Sequence, residues 1–191
     1  MRTSLLCVAL SVCATLALTG CANTTHYINL DPSVELQSAQ LSNSHPITVN
    51  TSTKLGKKIG AIDTAINEHA DLFISNKVEE SINNRVIQGL SSLGYKLDQG
   101  SLPASTLEIE VTDISYTTST KALKTIATIK FGVTARLSAK GKVYTANYAS
   151  EKIDEYGSLP DQEEVQEVLN KLAGETVNRL LNDSNIRVLL K

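Results

Sequence analysis

The sequence predicts an α+β fold, a two-layer sandwich in which a mainly antiparallel sheet carries two amphipathic helices on one face. Three observations lead there. Two segments, 78–93 and 165–181, repeat apolar residues at helical spacing. The stretch between them, from about 106 to 153, alternates apolar and polar residues with the period of a strand. Short strand-like segments precede the first helix, so the order is strands, helix, three strands, helix.

Residues 1–20 stand outside that fold. Arg2 is followed by Leu5-Leu6-Cys7-Val8-Ala9-Leu10 and an apolar run to Leu18, a basic start and a hydrophobic stretch of roughly 14 residues, as in a secretory signal. A spanning helix needs about 20 apolar residues, and Thr19, Gly20, Cys21 and Asn23 end this run. Leu18-Thr19-Gly20-Cys21 resembles the bacterial lipobox, in which small residues precede a cysteine that is lipidated and becomes the first mature residue. The motif implies a diacylglyceryl and an N-acyl lipid on Cys21 and no other cofactor. With about 0.8 kcal/mol per buried CH₂, three chains make attachment effectively permanent. Ala22 stands where an aspartate would retain such a protein at the inner membrane, which implies the periplasmic face of an outer membrane. Cys7 and Cys13 lie in the removed segment, so the mature chain keeps Cys21 and has no other thiol for a disulfide, metal or nucleophile.

Residues 21–45 read as the lipidated cysteine and a flexible tether, rich in Asn, Thr, Ser and Gln, with one edge strand at Tyr27 to Leu30. Fully extended, some 24 residues at up to roughly 3.4 Å each would span about 80 Å. The periplasmic domain is expected over 46–191. Ile47-Thr48-Val49-Asn50 alternates after Pro46, and short strands are expected at 58–64 and 71–75. Asn76 with Glu79 fits a capping pair for a helix whose apolar stripe is Val78, Ile82, Val86, Ile87, Leu90 and Leu93, with Gly94 as its stop. Leu107, Ile109 and Val111 share a strand face. Ile114 and Tyr116 are out of step with them, which places a bulge at Thr112-Asp113. A polar reversal is expected at 117–120, then a strand with Ile129, Phe131, Val133, Ala135 and Leu137 on one face, and a hairpin at Lys140-Gly141 into 143–153. Asp161 with Glu164 forms a second capping box, before the stripe Val165, Val168, Leu169, Leu172, Val177, Leu180 and Leu181.

Composition narrows function. Lys+Arg number 18 against 20 Asp+Glu, a net charge of -2, so the basic field of a nucleic-acid binder is missing. Glu68, His69 and Asp71 form the best acid/base cluster, and a hydrolase built on them is one hypothesis, but His26 and His45 lie in or beside the tether and no nucleophile motif accompanies them. Leu55-Gly56-Lys57-Lys58 lacks the spacing of a phosphate loop. The acids at 161, 163 and 164 suit a helix start. Tyr144 and Tyr148 share one side of a strand and are a candidate binding patch if that side is left open.

With the lipobox, Leu93-Gly94-Tyr95 at the end of the first helix, and Asn182 to Ile186 before Val188-Leu189-Leu190-Lys191, the chain resembles the YajG-type family of bacterial lipoproteins. The resemblance implies lipid anchoring, an envelope location and a compact α+β domain, and it supplies no catalytic residues. The expected function is a non-enzymatic binding or assembly module with an envelope protein as partner and the membrane held through its lipid. The alternative is a carrier or accessory subunit for a lipid or small amphiphile.

Overall fold

The computed structural model describes residues 24–35, 41–43, 45–63, 69–97, 105–121, 124–156 and 160–191. Among them run β1 (Thr24–Ile28), β2 (Ile47–Thr53), β3 (Lys58–Asp63), β4 (His69–Ile74), α1 (Val78–Ser92), β5 (Ser105–Lys121), β6 (Lys124–Ala139), β7 (Lys142–Tyr156), α2 (Gln162–Leu181) and α3 (Ser184–Leu190). The fold is α+β, as the periodicities predict.

The alternation of β5 and β6 sets the layers. Leu107, Ile109, Val111, Phe131, Val133, Ala135 and Leu137 are buried on one side of the sheet, while Glu108 and Arg136 are exposed on the other. The pairing slips between Val111 and Asp113. That bulge returns Ile114 and Tyr116 to the buried side. At the β6–β7 hairpin, Lys140 and Gly141 both take positive φ, 51° and 71°, the backbone of a two-residue turn that matches strand twist. β5, β6 and β7 form the expected antiparallel meander.

The sheet order is β1-β4-β3-β5-β6-β7, with β2 also on β5. β2 and β3 follow one another along the same edge of β5, both parallel to it. Where β3 meets β5 the fit is tight: a Cβ on Gly60 would lie 2.0 Å from the Tyr116 carbonyl oxygen. β4 returns antiparallel to β3, and β1 lies parallel beside β4. The sheet is therefore mixed, its antiparallel pairs concentrated in the long strands. α2 packs on β6 and β7 and touches β1, while α1 packs on β2 and against α2.

Three local expectations need correction. Residues 117–120 belong to β5, which pairs with β6 as far as Lys121–Lys124, because an alternating Thr/Ser run satisfies a strand as readily as a turn. The N-cap of α1 is Lys77, without a side-chain cap bond, since the Asn76 amide is engaged elsewhere. The segment expected as a tether is, at residues 24–35, part of the domain: β1 joins the sheet, and Ile28 and Leu30 are fully buried. The Asp161 cap is present, its carboxylate accepting the Glu164 N–H at 2.9 Å. Ile186, Val188, Leu189 and Leu190 lie on a separate short helix, α3, which buries Ile186 and Leu190.

Candidate functional site: the docked N-terminal segment and the open sheet face

Four residues of α2, each four apart, meet four residues of the N-terminal segment, each two apart. Gln162 Oε1 accepts the Tyr27 N–H at 3.3 Å, Gln166 Oε1 that of Asn29 at 2.7 Å, and Asn170 Oδ1 that of Asp31 at 2.7 Å. Asn170 Nδ2 also donates to the Asn29 carbonyl at 3.0 Å. The fourth pair is Gly174 and Ser33: a Cβ on Gly174 would lie 2.2 Å from the Ser33 carbonyl oxygen. The match has a geometric cause. Two residues of extended chain advance about 6.6 Å, and four residues of helix advance about 6 Å, so one helical stripe of amides stays in step with alternate N–H groups.

The opposite side of the segment is held from the β4–α1 connection and the first turns of α1. Asn76 Oδ1 accepts the Leu30 N–H at 2.9 Å while its Nδ2 donates to the Leu30 carbonyl at 2.7 Å. The side chain thus acts as a one-residue strand partner for a buried backbone unit. Ser75 donates its N–H to the Ile28 carbonyl at 2.9 Å, and Arg85 pairs with Asp31 at the rim. The Gln162, Gln166, Asn170 spacing was the signal in the sequence, hidden because those amides lie on what reads as the wet side of an amphipathic helix.

Tyr144 and Tyr148 lie on the helix-covered side of β7, so the open binding patch expected of them is not formed. Their hydroxyls converge on Asp183 Oδ2 at 3.0 and 2.6 Å. The other oxygen of Asp183 accepts the Asn185 N–H at 2.7 Å and caps α3. Burial works to raise the Asp183 carboxyl, but the hydroxyls of Tyr148 and Tyr144 and the N–H groups of Asn185 and Ile186 hold it below the usual range. Tyr148 is raised, by burial first and by the adjacent carboxylate second. The pair locks α3 to the sheet.

His69 and Asp71 are brought together, with a partner the sequence reading did not include. His69 Nδ1 faces Asp63 Oδ1 at 2.7 Å and Nε2 faces Asp71 Oδ1 at 2.9 Å, while Lys58 Nζ reaches Asp71 at 2.7 Å. Hydrogen bonds to Asp63 and Asp71 raise the imidazole above its ordinary value, and Lys58 and His69 lower Asp71. Both ring nitrogens are occupied by carboxylates, so the group forms an ion-pair network on the sheet surface. Glu68, and Leu18, Thr19, Gly20 and Cys21 of the expected lipobox, lie outside the described residues.

The open side of the sheet is polar and internally neutralised. Arg136 pairs with Glu108 at 3.0 Å, Lys130 with Glu151 at 3.0 Å and Lys54 with Glu110 at 2.9 Å. A groove of about 320 Å³ there is walled by residues such as Asn50, Ser52, Glu110, Thr134 and Thr145. Among the described residues, no helix is long and apolar enough to cross a membrane, and no group of three or more His, Cys, Asp or Glu is placed to hold a metal ion.

A family model described as uncharacterized lipoprotein matches residues 32–191. The chain belongs to this family, the YajG lipoproteins. The match spans β2 to α3 and begins within the docked segment, just beyond β1. Among solved structures, protein XCC0632 of Xanthomonas campestris, of the DUF330 family, is similar in fold, with a TM-score of 0.60 at 11% identity over 86% of this chain and 96% of that one. The protein CT253 of Chlamydia trachomatis aligns with a TM-score of 0.42 at 12% identity, covering 76% of this chain and 96% of that one. Among curated proteins none matches this YajG-family chain.

Proposed function

We propose that this YajG-family lipoprotein is held by lipid on Cys21 at the periplasmic face of the outer membrane. There it serves as a non-enzymatic binding and assembly module of the cell envelope. The observation that carries the reading is the docking of residues 27–33 onto α2 and onto Asn76, just before α1. Two residues, Ala22 and Asn23, separate Cys21 from β1. Three backbone steps span at most about 10 Å, so an anchor on Cys21 keeps the domain against the bilayer rather than some 80 Å away. A domain so placed meets partners at the membrane surface, and its polar open sheet face suits a protein partner. The pairing of His69 with Asp63 and Asp71 in a surface network supports a structural over a catalytic role for that cluster.

The test is fractionation and crosslinking mass spectrometry on membranes from cells carrying the intact chain, with Cys21→Ser as control. The proposal expects the wild type in outer-membrane fractions, release on Cys21→Ser, and reproducible crosslinks from the open sheet face to another envelope component. A wild type that is released like Cys21→Ser overturns the anchor. Crosslinks that reach no other envelope component overturn the binding role.

A further inference from the structure

β7 is a 15-residue strand at the edge of the sheet, paired on one side with β6. Its closing pair, Ala139 with Lys142, flanks the two-residue turn, so even-numbered residues of β7 turn their backbone groups to β6 and odd-numbered ones turn theirs outward. The outward set carries two of the exposed large apolar side chains, Val143 at 56% and Ile153 at 58%. A long edge strand with exposed apolar residues is a template for another strand.

One register makes the edge complementary to itself. Placed antiparallel to a second β7 with Tyr148 opposite its own copy, Val143 faces the second copy's Ile153 and Lys142 faces its Asp154, each contact occurring twice. Tyr144 then faces Lys152 and Thr145 faces Glu151. A slip of two residues one way opposes Lys142 to Lys152. A slip the other way opposes Val143 to Glu155. Like charges directly opposite are unfavourable and apolar and opposite-charge pairs favourable, so this alignment is favoured over both neighbouring slips while keeping thirteen residues, 142–154, paired. Arg179 donates to the Ala149 carbonyl at the middle of this edge. A carbonyl has two lone pairs, which leaves that oxygen able to accept the N–H of the second copy's Asn147.

We infer that the chain pairs with a second copy of itself through β7, joining two sheets into one continuous sheet about a two-fold axis at Tyr148. The axis is perpendicular to the sheet and reverses the strands. Both short leashes therefore reach one bilayer only when the joined sheet lies along the membrane surface, a consequence that rests on the anchor proposed above.

Cysteines at Thr145 and Glu151 test the pairing directly, because they face each other across copies but lie six residues apart on one extended strand, beyond the reach of an internal disulfide. Mild oxidation of membranes carrying the intact chain with T145C/E151C should give a covalent dimer, and T145C/N147C, which suits no contact in this register, should give at least tenfold less. The same pair of variants on a Cys21→Ser background, oxidised at raised concentration, should keep that ranking even if the anchor is absent. Equal yields from both variants, or no dimer from T145C/E151C in either background while its circular dichroism matches wild type, overturns the inference.

Discussion

The Gly174 Cα of α2 lies directly under the carbonyl of Ser33, so closely that a methyl group there would sit 2.2 Å from the oxygen. This contact ends a run of bonds that Gln162, Gln166 and Asn170 make with the N-terminal segment 27–31. Adding the missing carbon should lift the segment off the helix. Gly174→Ala is expected to destabilise the protein by about 1–3 kcal/mol, as overpacking usually does, despite the better helix propensity of Ala. Thermal unfolding gives the size, and faster protease cleavage within residues 29–35 shows where the strain is relieved.

Asn76 carries the opposite wall. Its replacement by Ala removes both bonds to Leu30, whose side chain is fully buried; the Ser81 hydroxyl still donates to the carbonyl, but the backbone N–H is left unpaired, at a loss of about 1–3 kcal/mol. Asn76→Asp should fall between wild type and Ala, since it keeps the acceptor and loses the donor. Denaturant titration of the three proteins orders them, and equal midpoints would contradict the assigned role.

Tyr116 offers a change of opposite sign. Its ring is 1% exposed and its hydroxyl has no partner among the described residues, and burial pushes the phenol well up. Removing an unsatisfied buried hydroxyl while keeping the ring is expected to stabilise the fold by about 1 kcal/mol, read as a higher melting temperature for Tyr116→Phe.

The His69 network should leave a pH signature. Hydrogen bonds to Asp63 and Asp71 raise the imidazole above 6.5, so the folded state binds the proton more tightly than the unfolded chain. That contribution is fully present below about pH 6.5 and is lost as pH rises through the folded value. The stability difference between wild type and His69→Gln should therefore shrink from pH 5.5 toward pH 8, measured by denaturant titration across that range. A difference that grows with pH would contradict the network.

Much of the fold was legible because burial and period coincide there. Leu107 to Tyr116 announced both a strand and its bulge, and Asp161 announced its helix. The parts that were not legible depend on partners distant in sequence. Asn76 and Glu79 have the spacing of a cap, but the Asn76 amide has a backbone 46 residues away to satisfy. Thr117 to Thr120 have the composition of a turn, and β6 makes them a strand. Tyr144 and Tyr148 share a side by parity, yet which side the helices cover is settled by α2, α3 and Asp183. The docked segment was hidden twice, since its polar residues read as linker and its amide partners on α2 read as solvated surface.

The central claim is that residues 27–31 are built into the domain. Amide hydrogen exchange of the chain in detergent or membranes tests it most directly, read at the N–H groups of Tyr27, Asn29, Leu30 and Asp31. Docking predicts that Leu30 exchanges as slowly as the core of β6, that Asn29 and Asp31 are clearly protected, and that Gly174→Ala speeds all of them. Exchange at all four at the rate of an unstructured peptide would show a free tether and contradict the account.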